Sequence, residues 1–144
     1  MDVGIKMANM GEILRVFLIN TSEDEVTERD MPNALSEMKR LVGSKTIDIS
    51  DLVVGNKIFK VVHSLNTDPS THISVLDEEG RTVFRGNVII IAYSKVEGGE
   101  LLRDLMDDEL AVLKNNTGLM RVSTKNNEVY NAYALCNARK VERK

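Results

Sequence analysis

The run Val88-Ile89-Ile90-Ile91-Ala92-Tyr93 constrains the fold of this chain more than any other stretch. Five aliphatic residues and a tyrosine in succession leave no side to face water, so the strand they form must be covered on both faces. The approach to it is equally specific. Asp77 opens an acidic turn through Glu78-Glu79-Gly80, and Gly86-Asn87 steps the chain into the apolar run. Between them, Arg81 to Arg85 pairs as a hairpin partner with Thr71 to Asp77, which places Ile73 and Val75 on one face.

The rest of the chain reads around this centre. Ile13 to Ile19 is short and rich in branched side chains, a strand well covered on both faces. Residues 22–30, five of them acidic, read as a solvated, mobile connection. Asp30 before Met31-Pro32, with Leu35, Met38, Leu41 and Val42 at helical spacing and Gly43 behind them, predicts a capped amphipathic helix. Strands are expected over Lys45 to Ile49 and Lys57 to Leu65, with a turn at Gly55-Asn56 and a break over Asn66-Thr67-Asp68-Pro69-Ser70. After Gly98-Gly99, Leu101 to Met106 has helical periodicity, Asp107 offers a cap, and the helix continues through Leu110 and Leu113 until Gly118. Leu119 to Ser123 and Glu128 to Leu135 form a C-terminal β-hairpin. Segregated strands with two helices give an α+β fold, a mostly antiparallel sheet with two helices packed on it.

At 144 residues and 42% hydrophobic content, the chain has the size of one domain and buries about two thirds of its unfolded surface. The expected organisation is a flexible leader over residues 1–12, a single α+β domain over 13–138 and a frayed tail over 139–144. A formal charge of −3 lacks the basic excess that drives binding to duplex nucleic acid. The single cysteine, Cys136, forms no internal disulfide and suits a reducing compartment. No apolar run approaches the roughly 18–20 residues needed to span a bilayer, and the first residues lack the apolar core of an export signal, so a cytoplasmic location is expected.

The sequence offers little to an enzyme. His63 and His72 have no second His or Cys at metal spacing, and each reads as a satisfied strand histidine. Asp107-Asp108-Glu109 at a helix start favours the positive end of the helix dipole and water. There is no nucleophile elbow, phosphate loop or dinucleotide fingerprint. No cofactor and no metal are expected.

What remains is a binding surface. Strand parity places Arg81 and Arg85 on one face, and guanidinium forks suit phosphate or carboxylate. Arg121 lies similarly in the last hairpin, while Tyr130 and Tyr133 offer rings for stacking and hydroxyls for bonding. Asn87, beside the arginine strand, completes the candidate set. The open apolar edge of the hairpin from Leu119 to Leu135 predicts a homo-oligomer.

The order of features also resembles a small family of unassigned proteins carried by bacteriophages and mobile elements. Met38-Lys39-Arg40-Leu41-Val42-Gly43, Ile47 and Ile49, Val75 to Arg81, Gly86 to Ile90 and a Leu-rich acidic helix carry the resemblance, over roughly residues 30 to 115. It implies a phage or mobile-element origin and brings no catalytic residue. The resulting expectation is an anti-defence protein that sequesters a small anionic, nucleotide-type host signalling molecule without cleaving it. Two alternatives stand beside it: an inhibitor that binds a host defence protein through an acidic surface, and a small metal-dependent nucleotide hydrolase.

Overall fold

The computed structural model describes residues 5–6, 11–68, 70–123 and 127–141. The apolar run forms β8 (Val88–Val96), and its neighbours follow from what it must bury. β2 (Ile13–Asn20) pairs antiparallel with its first half, Phe17 opposite Ile90, and β5 (Lys57–Ser64) pairs along the other side, Val61 opposite Ile90. β9 (Gly99–Arg103) folds back on its second half, Ala92 opposite Arg103. β4 (Ile47–Val54) extends the sheet beyond β5 as a full eight-residue hairpin through Gly55-Asn56. Among the described residues this sheet has eight strands, with β1 (Ile5–Lys6) parallel to β9, β3 (Glu25–Pro32) on β2 and β12 (Ala138–Val141) on β4. A second sheet holds β6 (Ile73–Leu76), β7 (Thr82–Arg85), β10 (Thr117–Ser123) and β11 (Val129–Leu135) in the order β10-β11-β6-β7. The α+β class, the antiparallel character and the C-terminal hairpin are as the sequence predicts.

Strand alternation divides β8 between two cores. Ile89 and Ile91 face α1 (Leu35–Val42), where Met38, Leu41 and Val42 bury against them with Leu14, Val16 and Leu18. Val88, Ile90 and Ala92 face the opposite way, toward Leu110 and Leu113 of α2 (Asp107–Asn115) and toward Val75, Phe84 and Leu135 of the second sheet. Thus each helix covers one face of the main sheet. Arg103 binds Glu109 through both carboxylate oxygens at 2.8 and 3.0 Å, docking α2 on β9.

One buried charge bridges the sheet. Lys60 is 0% exposed, and its Nζ donates to Asp51 Oδ1 on β4 at 2.5 Å and to Glu100 Oε1 on β9 at 2.7 Å. The ammonium also lies 4.5 Å from the ring centroid of Tyr93 on β8. A buried cation is tolerated only when paired and hydrogen-bonded, and here three neighbouring strands supply what it needs.

Several boundaries differ from the sequence reading, each because pairing overrides local character. The acidic residues 25–30, expected in a mobile loop, belong to β3, whose eight residues all pair with β2. Their charges stand on an edge strand, where they discourage further pairing. Met31-Pro32 ends that strand, so α1 begins at Leu35 after an extended Ala34, and Asp30 caps nothing. Gly43 does close the helix, at φ 77°, donating its N–H to Lys39 O. Leu101 to Arg103 is strand rather than helix, because the Glu97-Gly98 turn returns the chain onto β8. α2 starts at Asp107 with Met106 as its cap, the Met106 N–H donating to Glu109 Oε1 at 2.8 Å. It ends at Asn115, and Gly118 lies within β10.

The ends are also more ordered than expected. Ala138 to Val141 pairs with Val54 to Asp51, where the tail was expected to fray; residues 142–144 lie outside the described ones. Within the expected leader, Ile5 and Lys6 pair with Glu100 and Leu101, and Gly11 N–H donates to Asn33 O. The other leader residues up to Met10 lie outside the described ones.

The burial of β8 sets a direct test. Ile90 is 0% exposed and pairs on both sides, so Ile90→Asp places a carboxylate where no partner exists. The penalty takes a large share of the roughly 5–15 kcal/mol that stabilises a domain. The expected result is loss of the cooperative thermal transition; a soluble variant that melts cooperatively removes β8 from the core.

Candidate functional site

The second sheet is built from two hairpins that meet at one point. β11 and β6 run parallel and pair only at Leu135 opposite Val75, and from there the two hairpins diverge. Between them lies a groove of about 600 Å³. Its floor is apolar, with Ile73, Leu76, Met120 and Val122, and Val129 stands at its side. Arg81, Arg85 and Arg121 line it, with the hydroxyls of Thr82 and Ser123.

Each arginine is positioned by its own local chemistry. Asp77 organises the turn: its Oδ1 accepts the N–H groups of Glu79 and Arg81 at 2.9 and 2.8 Å, and its Oδ2 accepts Arg81 Nε at 2.9 Å. The Arg81 N–H, the leading cause, holds the Asp77 carboxyl below the usual carboxylate range. Gly80, at φ 80°, supplies the left-handed residue the turn requires. The Arg81 side chain is 70% exposed and also pairs with Glu79 at 3.2 Å. Such exposed pairs contribute little, so its guanidinium is exchangeable. Arg85 donates from Nη1 to Thr71 O at 3.0 Å, which fixes its head at the end of the groove. Arg121 sits on β10 opposite Asn131 and is exposed.

The other sequence candidates do not line this groove, although Asn87 lies with Arg85 in the lining of a neighbouring cleft. Asn87 is a bracket: its Oδ1 accepts Thr21 N–H at 2.8 Å and Thr21 Oγ1 at 3.1 Å, while its Nδ2 donates to Leu41 O at 3.0 Å. It thereby ties the end of β2 to the end of α1 at the point where β8 begins. Tyr130 accepts Ile73 N–H at 2.6 Å and stacks on His72 with ring centroids 3.9 Å apart. Tyr133 stands opposite Leu119 on the hairpin, away from the groove. Both are exposed, at 44% and 59%, with Val129 at 57%, and β10 is an edge of its sheet.

Sequence reasoning missed the hydroxyl-bearing part of the region. A cleft of about 250 Å³ is lined by Thr21, Ser22, Ser44, Ser64, Thr67 and Thr71 among others, and Arg85 lies in its wall too. The signal was present in Thr67, Ser70 and Thr71, hydroxyl-bearing residues read only as a break and the start of the strand after it.

Other reactive side chains are satisfied structurally. His63 is buried against Phe84 at 4.3 Å; its Nδ1 lies 3.1 Å from Ser64 O and its Nε2 2.8 Å from Ser50 Oγ. The carbonyl requires a proton on Nδ1, leaving Nε2 to accept from the serine, and burial pushes the imidazole pKa down. Burial raises the Cys136 thiol pKa, the opposite of what an activated cysteine needs. Among the described residues, no three His, Cys, Asp or Glu side chains are grouped to hold a metal ion, and no helix is long and apolar enough to cross a membrane. No family model, curated protein or solved structure matches the chain.

The Asn87 bracket separates support from binding. Asn87→Ala leaves the Thr21 N–H and Leu41 O without their partner, a loss of about 1–3 kcal/mol. At this chain length that lowers the melting temperature by roughly 3–12 °C. Anion binding by the folded variant should stay within about threefold of wild type; a larger loss without a fall in melting temperature moves Asn87 into the binding site.

Proposed function

We propose that this chain is a non-enzymatic binding protein that holds a small anionic ligand of nucleotide type in the groove between its two hairpins. The observation that carries the reading is the convergence of Arg81, Arg85 and Arg121 over an apolar floor. Guanidinium forks match phosphate oxygens in pairs, while the floor takes a flat apolar ring by burial. A volume near 600 Å³ falls within the roughly 300–1,000 Å³ of small-molecule sites. With the phage or mobile-element origin that the resemblance implies, the ligand is a host signalling molecule and its capture without cleavage blunts a defence response.

The test is direct. Small molecules released on denaturing protein purified from cells with active defence signalling are identified by mass spectrometry, and their binding to the Arg81→Ala/Arg85→Ala variant is measured. Each lost charge-assisted contact costs about 1.5–3 kcal/mol, so the pair weakens binding by roughly a hundredfold or more. Both side chains reach solvent, and the variant should melt within a few degrees of wild type. A folded double variant that binds as tightly as wild type removes the groove from the reading.

Assembly belongs to the same proposal. The β10 edge, with Leu119, Val129 and Tyr133 exposed beside it, is a surface that a second copy covers by extending the sheet. Light scattering at micromolar concentration should give at least twice the chain mass; a monomer mass overturns this part alone.

A further inference from the structure

The groove does not end at Arg85. A second cavity of about 320 Å³ is lined by Ser64, Thr67, Thr82, Val83, Phe84 and Arg85. It shares Thr82 and Arg85 with the groove, and it shares Ser64, Thr67 and Arg85 with the hydroxyl-lined cleft of about 250 Å³. Arg85 therefore stands in the wall of all three, its head held by Thr71 O at 3.0 Å. Three adjoining spaces thus share one cation, and they form a trough if a ligand bridges them at Arg85.

The chemistry changes sign and character along it. On the groove side lie an apolar floor and the further cations Arg81 and Arg121. On the far side the lining includes Thr67, Thr71, Ser44 and Asn66 beside the Asn87 bracket, and its other charged group is the carboxylate of Asp68. Ser70 donates its hydroxyl and N–H to Asp68 Oδ1 at 2.6 and 2.8 Å, which lowers the Asp68 pKa and keeps the group ionised at neutral pH. A carboxylate repels phosphate but accepts hydrogen bonds from a sugar diol, as acidic residues do on ribose in dinucleotide sites. The hydroxyls and the Asn66 amide donate and accept in turn, matching a group that does the same.

We infer that the ligand has its anion in the middle, with a base-bearing nucleoside in the groove and a second, uncharged sugar in the hydroxyl-lined cleft: a nucleoside diphosphate sugar. A simple nucleotide leaves the cleft empty, because its sugar lies between base and phosphate. This rests on the anion-binding reading above and adds the second sugar to it.

Calorimetry with four probes separates the two claims: ADP and UDP, which end at the anion, and ADP-ribose and UDP-glucose, which carry the second sugar. In at least one series the sugar-bearing member should bind tenfold or more tightly than its diphosphate. That gap should fall below threefold in the Thr67→Val/Asp68→Asn variant, while binding of the diphosphate itself is unchanged. Arg85→Ala should weaken every member that binds. Melting curves confirm that each variant is folded. Diphosphates bound as tightly as their sugar derivatives in both series overturn the second-sugar inference and leave the anion site standing. A gap that survives Thr67→Val/Asp68→Asn places the sugar elsewhere and also overturns it. Failure of all four probes to bind folded wild-type protein overturns the inference together with a nucleotide ligand for the groove.

Discussion

Everything in this fold answers to the burial of β8. A strand whose residues 88–92 are all excluded from water needs apolar cover on two sides and strand neighbours along both edges. One short helix, α1, is enough on the face of Ile89 and Ile91. The other face needs more than α2 supplies, and the second sheet completes the cover through Val75, Phe84 and Leu135. That sheet's two hairpins pair with each other only at Leu135 and Val75, and the groove is lined by residues of both. The candidate site is therefore a consequence of how the core is closed.

The chain handles its cations in two opposite ways. Lys60 is sealed in the sheet with Asp51, Glu100 and Tyr93 around its ammonium, so its charge is neutralised inside the protein. It ties β4, β5 and β9 together through one charge, and removing either carboxylate would leave that buried ammonium short of a partner. Arg81, by contrast, is held by two carboxylates of its own turn, the half-buried Asp77 and the exposed Glu79, with its own side chain largely in solvent, and Arg121 is exposed. Exposed pairs of this kind add little to stability, so the proposed anion would displace little in reaching these guanidinium groups.

What was legible in the sequence is its local pattern. Apolar runs and glycine turns report burial and chain reversal, and β2, β5, β8 and both hairpins follow from them. The shared face expected for Arg81 and Arg85 from strand alternation does not carry over, because Arg81 stands in the turn before β7, β6 and β7 pair with register shifts, and Thr82 lines the groove beside both arginines. β9 and β3 were not legible, because Leu101-Leu102 looks helical until the returning chain pairs with β8, and Glu25 to Asp30 looks solvated until β2 supplies a partner. β12 depends on β4, more than eighty residues away. Asn87 and Tyr130 read as ligand groups because a polar side chain announces its capacity for hydrogen bonds without announcing who will use it. Here the backbone uses it, at Thr21, Leu41 and Ile73.

The contacts that hold the groove open are few, and they are of a kind that a ligand can feel. Tyr130 fastens β11 to the start of β6 through Ile73 N–H and stacks on His72, and β6 is irregularly paired with β7. Register shifts between Ile73 and Leu76 leave that strand less tightly laddered than its counterparts in the main sheet. A ligand spanning both hairpins adds cross-links where the protein has least of its own. Anything that binds the folded chain alone raises its stability in proportion to the logarithm of its concentration. The hairpin pair, rather than the β8 core, is thus the unit whose opening occupancy of the groove would slow most, because the core is already fixed from both faces.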